Sequence, residues 1–148
     1  MSALRKRLNV QDESAFTLIE LLVVLIIIGV LLAIAIPSYL GFQKKAQSTA
    51  AASDVRSAIP DAEAFYSDSA TSSYTGMSAS GLKTNYDSGM VLSTSGSPGI
   101  VTAGPKTGDS SHYCISAVDG GHWAYVDGPG GQVVIEPDTV VTDPCPAA

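Results

Sequence analysis

Residues 16–37 read FTLIELLVVLIIIGVLLAIAIP, and this stretch decides the architecture. No residue from 21 to 43 is charged, and the densest apolar run covers 21–36. A helix needs about 20 predominantly apolar residues to enter a bilayer, and this segment has them. A small soluble domain has no interior in which to hide a helix that is apolar on every face. Arg5, Lys6 and Arg7 stand just upstream. By the positive-inside rule they keep the N-terminus cytoplasmic and send everything after Ile36 outside.

Two readings of the segment stay open on chemistry alone. One is a conventional secretory signal peptide, with a basic start, an apolar run and Ala33-Ile34-Ala35 as an A-x-A cleavage site. The other is a retained anchor. Glu20 counts for the anchor. A carboxylate deep in a bilayer costs about 2.5–3.5 kcal/mol on insertion scales, so an intramembrane charge marks a functional site whose partner has to be named.

The run Ala15-Phe16-Thr17-Leu18-Ile19-Glu20-Leu21-Leu22 resembles the class III signal of type IV pilins and type II secretion pseudopilins. The match continues through Gly29, the AIAIP ending at Pro37, and Tyr39, and it is strong over residues 13–60. The resemblance implies a prepilin peptidase that cuts between Ala15 and Phe16 and methylates the new Phe16 amine. Ala15 stands where the family usually has Gly. It also implies a filament of identical subunits in which the amine of one chain meets Glu20 of a neighbour. Two charges that are each costly in an apolar core become a pair, and removing one strands the other. Glu20 then sets axial register and catalyses nothing. The remaining implied partners are an inner-membrane assembly platform and, before assembly, membrane lipid. The implied location is a single-pass membrane precursor with a cytoplasmic N-terminus, then an extracellular, periplasmic or wall-spanning filament.

Pro37 has no amide hydrogen and should kink the helix, and Gly29 weakens it upstream. In the family's assembled pili the corresponding stretch loses helicity, and the resemblance implies the same between Gly29 and Pro37. Beyond Pro37, Val55, Ile59, Ala62 and Tyr66 recur at the spacing of one helix face, and Phe65 joins that side. Pro60 predicts a second kink. Residues 67–81 show neither helical nor strand period and read as a surface loop, with Tyr74 as a point of attachment. Short apolar runs at 90–93 and 100–103, then 112–118, 122–126 and 132–136, read as strands. Asp119-Gly120-Gly121 and residues 127–131 supply the turns. The expected fold is α+β, a lollipop with a long kinked N-terminal helix, its first half transmembrane, on a small antiparallel sheet. The expected divisions are a leader at 1–15, an assembly helix at 16–37, an amphipathic helix at 38–67, a variable loop at 68–89, and a sheet with a C-terminal disulfide region at 90–148.

Cys114 and Cys145 are the two cysteines. If the head lies outside, a disulfide is favoured over two free thiols. It closes a loop of about 32 residues, which chain entropy values at about 3–4 kcal/mol.

The function classes narrow further. The chain has 148 residues, a net charge of −6 and only 15% charged residues. Only eight Lys and Arg are present, three of them Arg5, Lys6 and Arg7, too few for a broad phosphate surface, so no direct nucleic-acid binding is claimed. His112 and His122 fall at far ends of the predicted hairpin and share no metal. Asp119, Asp127, Asp138 and Asp143 each sit beside Gly or Pro, where turns favour Asp. Trp123 and Tyr125 read as packing or an intersubunit patch. No nucleophile–base spacing or phosphate loop occurs, so neither an enzyme nor a cofactor is expected. The reading is a structural pilin for adhesion, motility or DNA uptake. The alternatives are a pseudopilin of a secretion or competence apparatus and a small secreted domain.

Overall fold

The computed structural model describes residues 16–94, 97–137 and 142–145. The expected leader with Ala15, and Asp138, lie outside the described residues. Among the described residues the elements are α1 (Leu18–Asp68), α2 (Ala79–Asn85), β1 (Gly99–Lys106), β2 (Asp109–Asp119), β3 (His122–Gly128) and β4 (Val134–Ile135). The chain divides into two compact units, one ending at Tyr39 and one starting at Leu40.

In the first unit every residue from 16 to 39 is exposed. Leu18 is 81% and Ile34 71% accessible. Among the described residues α1 is the one helix long and apolar enough to cross a membrane. Gly29 and Pro37 are both helical in this form of the chain. Proline deletes one donor, here the bond to the carbonyl of Ala33, and intact turns on either side carry the helix past it. Pro60, in the second unit, is helical for the same reason.

The second unit holds the core. Ala51, Ala52, Val55, Ala58 and Ala62 are buried on α1, with Ile59, Phe65 and Tyr66 packed partly against them. That 4-3-4 recurrence is the helical repeat facing an antiparallel sheet in the order β1-β2-β3-β4. Register sets Ile115 opposite Val126, Ala117 opposite Ala124, and Ala103 opposite Ile115, so one face presents an apolar row to the core. The β2–β3 turn is Gly120-Gly121, with φ of +55° and +84° at the two central positions. Those values are what a two-residue hairpin loop of matching twist requires, and glycine adopts them without strain.

Three expectations need correction. The segment read as a loop contains α2, started by Ser78, whose Oγ accepts from the Gly81 amide at 3.1 Å. Leu82 buries its side chain in the core, and one buried residue in two turns is too little period to register in sequence. Residues 90–93 form no strand; Leu92 makes a single parallel bridge to Ile100. Strand β1 instead runs on to Lys106 and turns through Thr107-Gly108 into β2, an arm that Pro105 concealed. Pro105 is tolerated because β1 is an outer strand of the sheet.

Strand β2 is buried from Tyr113 to Val118, on both faces. On the face away from the core, residues 142–145 provide cover. Cys145 is bonded to Cys114 with Cα atoms 5.7 Å apart, Thr102 Oγ1 donates to Asp143 Oδ2, and the Cys145 amide donates to Asp143 Oδ1 at 2.9 Å.

Candidate assembly site

The start of α1 is built by a reciprocal cap. Thr17 precedes the first helical residue, and its amide and Oγ1 hydroxyl donate to Glu20 Oε2 at 2.9 and 2.6 Å. The Glu20 amide donates back to Thr17 Oγ1 at 3.3 Å. A helix start leaves four amides without intrahelical partners, and this T-x-x-E pair satisfies two of them. Glu20 also places its negative charge in the first turn, where the helix dipole favours it. Thr17-Leu18-Ile19-Glu20 matches the capping-box spacing, so this second role of Glu20 is legible in the sequence beside its charge.

Around this cap the surface is apolar. Phe16, Ile19, Val23 and Val24 surround Glu20 in a shallow depression. Phe16 is 71% exposed and lies next to the capped end. The geometry therefore brings Phe16 and Glu20 to one end of α1. Gly29, two turns further on, has no atom within 4 Å of where a Cβ would stand, so it leaves a notch in the helix surface.

The head is organised around a carboxylate that the sequence did not reveal. Glu63 accepts from Tyr74 Oη at 3.2 Å and from Tyr113 Oη at 3.2 Å, through its two oxygens. Tyr74 also packs on Tyr66 and Tyr113, with ring centroids 4.9 and 4.8 Å apart. Burial and the Glu63 charge hold the Tyr74 hydroxyl protonated, pushed up to about 12, and raise Tyr113 as well. Tyr74 thus ties the connection after α1 to the core.

The histidines lie at opposite ends of the β2–β3 hairpin. His122 pairs with Asp119 at the turn and is buried, and His112 is exposed beyond the pair Tyr113–Gly128. His112 Nδ1 lies 2.7 Å from Asp109 Oδ2. Asp109 also accepts from the Ser111 hydroxyl and amide at 2.5 and 2.9 Å, which brings its carboxyl down to about 2. Asp127 pairs with Lys106 at 2.9 Å. Among the described residues no three His, Cys, Asp or Glu side chains converge on a metal position. Trp123 and Tyr125 stand half-buried on the face of the sheet away from the core.

An apolar helix capped by Glu20, followed by an antiparallel head with a C-terminal disulfide, is an arrangement consistent with the type IV pilin fold. The prokaryotic N-terminal methylation motif matches residues 11–36. The chain is similar to the fimbrial protein EcpC of Eikenella corrodens, 34% identical over 104 residues, which are 66% of this chain and 65% of that one. It thus spans just under two thirds of that relative's length. It is also similar to the type IV wide pilus major component PilA4 of Thermus thermophilus, 28% identical over 138 residues, 92% of this chain and 96% of that one. No solved structure matches the chain.

Proposed function

We propose that the chain is a structural subunit that polymerises through its N-terminal helix into a type IV pilus-like surface filament. The observation that carries this reading is α1 itself, exposed, predominantly apolar and uncharged over residues 18–39 except for a single carboxylate held at its first turn. A helix that is apolar on every face needs lipid or other apolar surface around it, and copies of itself supply such a surface. A prepilin peptidase would cut between Ala15 and Phe16 and methylate the Phe16 amine. Before assembly the helix would sit in the membrane with its N-terminus cytoplasmic. An inner-membrane platform would then pass subunits into the filament. There the amine of one subunit would pair with Glu20 of the next, and Gly29 to Pro37 would be the stretch able to lose helicity under packing or tension. The similarity to a fimbrial protein and a pilus component favours a surface filament over a secretion pseudofilament. On this reading the subunit catalyses nothing, and adhesion, motility or DNA uptake would belong to the filament.

Mass analysis and N-terminal sequencing of filaments sheared from cells test the pathway. The expected start is methylated Phe16. A start at Ile36 would make residues 1–35 a conventional signal peptide and remove the assembly role. Glu20→Ala should be processed normally yet give few or no filaments under electron microscopy. Wild-type filament yield from that variant would refute the register role.

A further inference from the structure

The face of the sheet away from α1 carries a cleft of about 310 Å³. Lys106, Cys114, Tyr125, Asp127, Glu136 and Pro144 border it. The cleft thus lies where the C-terminal segment is fastened to β2, and of the two bonded cysteines it is lined by Cys114. Cys114 stands on its wall, and Cys145 does not border it. Accessibility agrees, at 7% for Cys114 against 1% for Cys145.

We propose that Cys114 is the sulfur through which this disulfide exchanges with an external thiol, and that the cleft admits neutral and cationic low-molecular-weight thiols in preference to anionic ones. Exchange begins with a thiolate attacking one sulfur of the disulfide, and which sulfur is attacked depends on access. Here the incoming thiolate forms a new sulfur–sulfur bond with Cys114. The bond to Cys145 breaks, and its electron pair leaves on the Cys145 sulfur, which takes a proton from water. The chain has then gained a mixed disulfide on β2 and a free thiol in the C-terminal segment. Among the described residues the Thr102–Asp143 hydrogen bond would still hold that segment. Closure retraces the same path, so Cys114 is also the thiol that an oxidising disulfide captures first.

The selectivity follows from the charges on the cleft. Lys106 Nζ is 2.9 Å from Asp127 Oδ2, so that cation is matched by its own carboxylate. Among the described residues Glu136 is the remaining charge on the rim, and their border is net negative. A thiol bearing a second negative group is repelled, whereas one bearing an ammonium group is attracted.

The test uses the full chain in detergent micelles with cysteamine, 2-mercaptoethanol and 2-mercaptoethanesulfonate at equal thiolate concentration. Acid quenching at short times, alkylation and peptide mapping then locate the adduct. The expected product carries the adduct on Cys114 and the alkyl group on Cys145. Cysteamine should react about threefold to fivefold faster than the sulfonate at low salt. High salt and Glu136→Gln should both shrink that ratio. An adduct mainly on Cys145, adducts shared equally, a rate order indifferent to thiol charge, or reaction only after denaturation would each overturn the proposal.

Discussion

Thr17 and Glu20 show one carboxylate serving two purposes. In the subunit Glu20 Oε2 closes the helix start by accepting twice from Thr17. In the proposed filament the same group faces an amine. The cap holds the carboxylate at the helix end, so little side-chain entropy is left to lose on pairing. Thr17→Ala removes the hydroxyl that donates to and accepts from Glu20. It should cost about 0.5–2 kcal/mol at the first turn. Hydrogen exchange of the amides of residues 18–21 in micelles should rise accordingly, with exchange in the head unchanged. Unchanged first-turn exchange would show that Thr17 does not cap the helix. Gly128 is the head's counterpart of such a single-atom requirement. A Cβ there would lie 2.0 Å from Cζ of Tyr113, the ring that reaches across from β2 to Glu63. Glycine is needed because the neighbouring aromatic occupies the space of its side chain.

At the scale of elements, the two hairpins use different chemistry. The β2–β3 turn relies on two consecutive glycines, and its Gly120 approaches Gln47 of α1 closely. The β1–β2 turn has one glycine, Gly108 at φ +79°, and an exposed polar cluster of Asp109, Ser111 and His112 beside it. Asp109 has its folded pKa depressed to about 2 from 3.8, chiefly by the Ser111 hydrogen bonds and then by His112. A depressed carboxyl stabilises the fold above its unfolded pKa and loses that contribution as pH falls through the folded one. The window is therefore between about pH 4 and pH 2. A carboxyl-carbon NMR titration should place the Asp109 midpoint near 2, and Ser111→Ala should move it upward. A wild-type midpoint near that of a free aspartate would refute the cluster. The arm itself was hidden in sequence. Pro105 and the polar run of 107–111 read as interruption, although an outer strand accepts both.

For the molecule as a whole, the head closes around Glu63. Bonds to a charged acceptor contribute about 1.5–3 kcal/mol each, and two tyrosines from segments far apart in sequence supply them. Burial first, and the Glu63 charge second, raise the hydroxyls of Tyr74 and Tyr113 above the ordinary value of 10.0, Tyr74 to about 12. A raised tyrosine stabilises the fold fully below its unfolded pKa, and that contribution fades as pH rises through the folded one. Alkaline unfolding followed by tyrosinate absorbance should therefore show a class of tyrosines that stays protonated past pH 10 and ionises with loss of the fold near 12. Tyr74→Phe and Tyr113→Phe should each shrink that class. Ionisation of all six tyrosines near pH 10 with the fold intact would contradict the arrangement. The sequence by itself determined the apolar helix, the N-terminal methylation motif that contains Phe16 and Glu20, the helix face around Val55 and the Gly120-Gly121 turn. Each of these is a local pattern, written in the period of one element or in the chemistry of a few neighbouring residues. Only the tertiary structure decided that Glu63 is the hub of the head, that residues 142–145 cover the second face of β2, and that α2 exists. Those features depend on side chains meeting across 11 to 50 residues of chain, or on burial of the single side chain Leu82. No periodicity records a contact of that kind, because its energy appears only once the elements are packed.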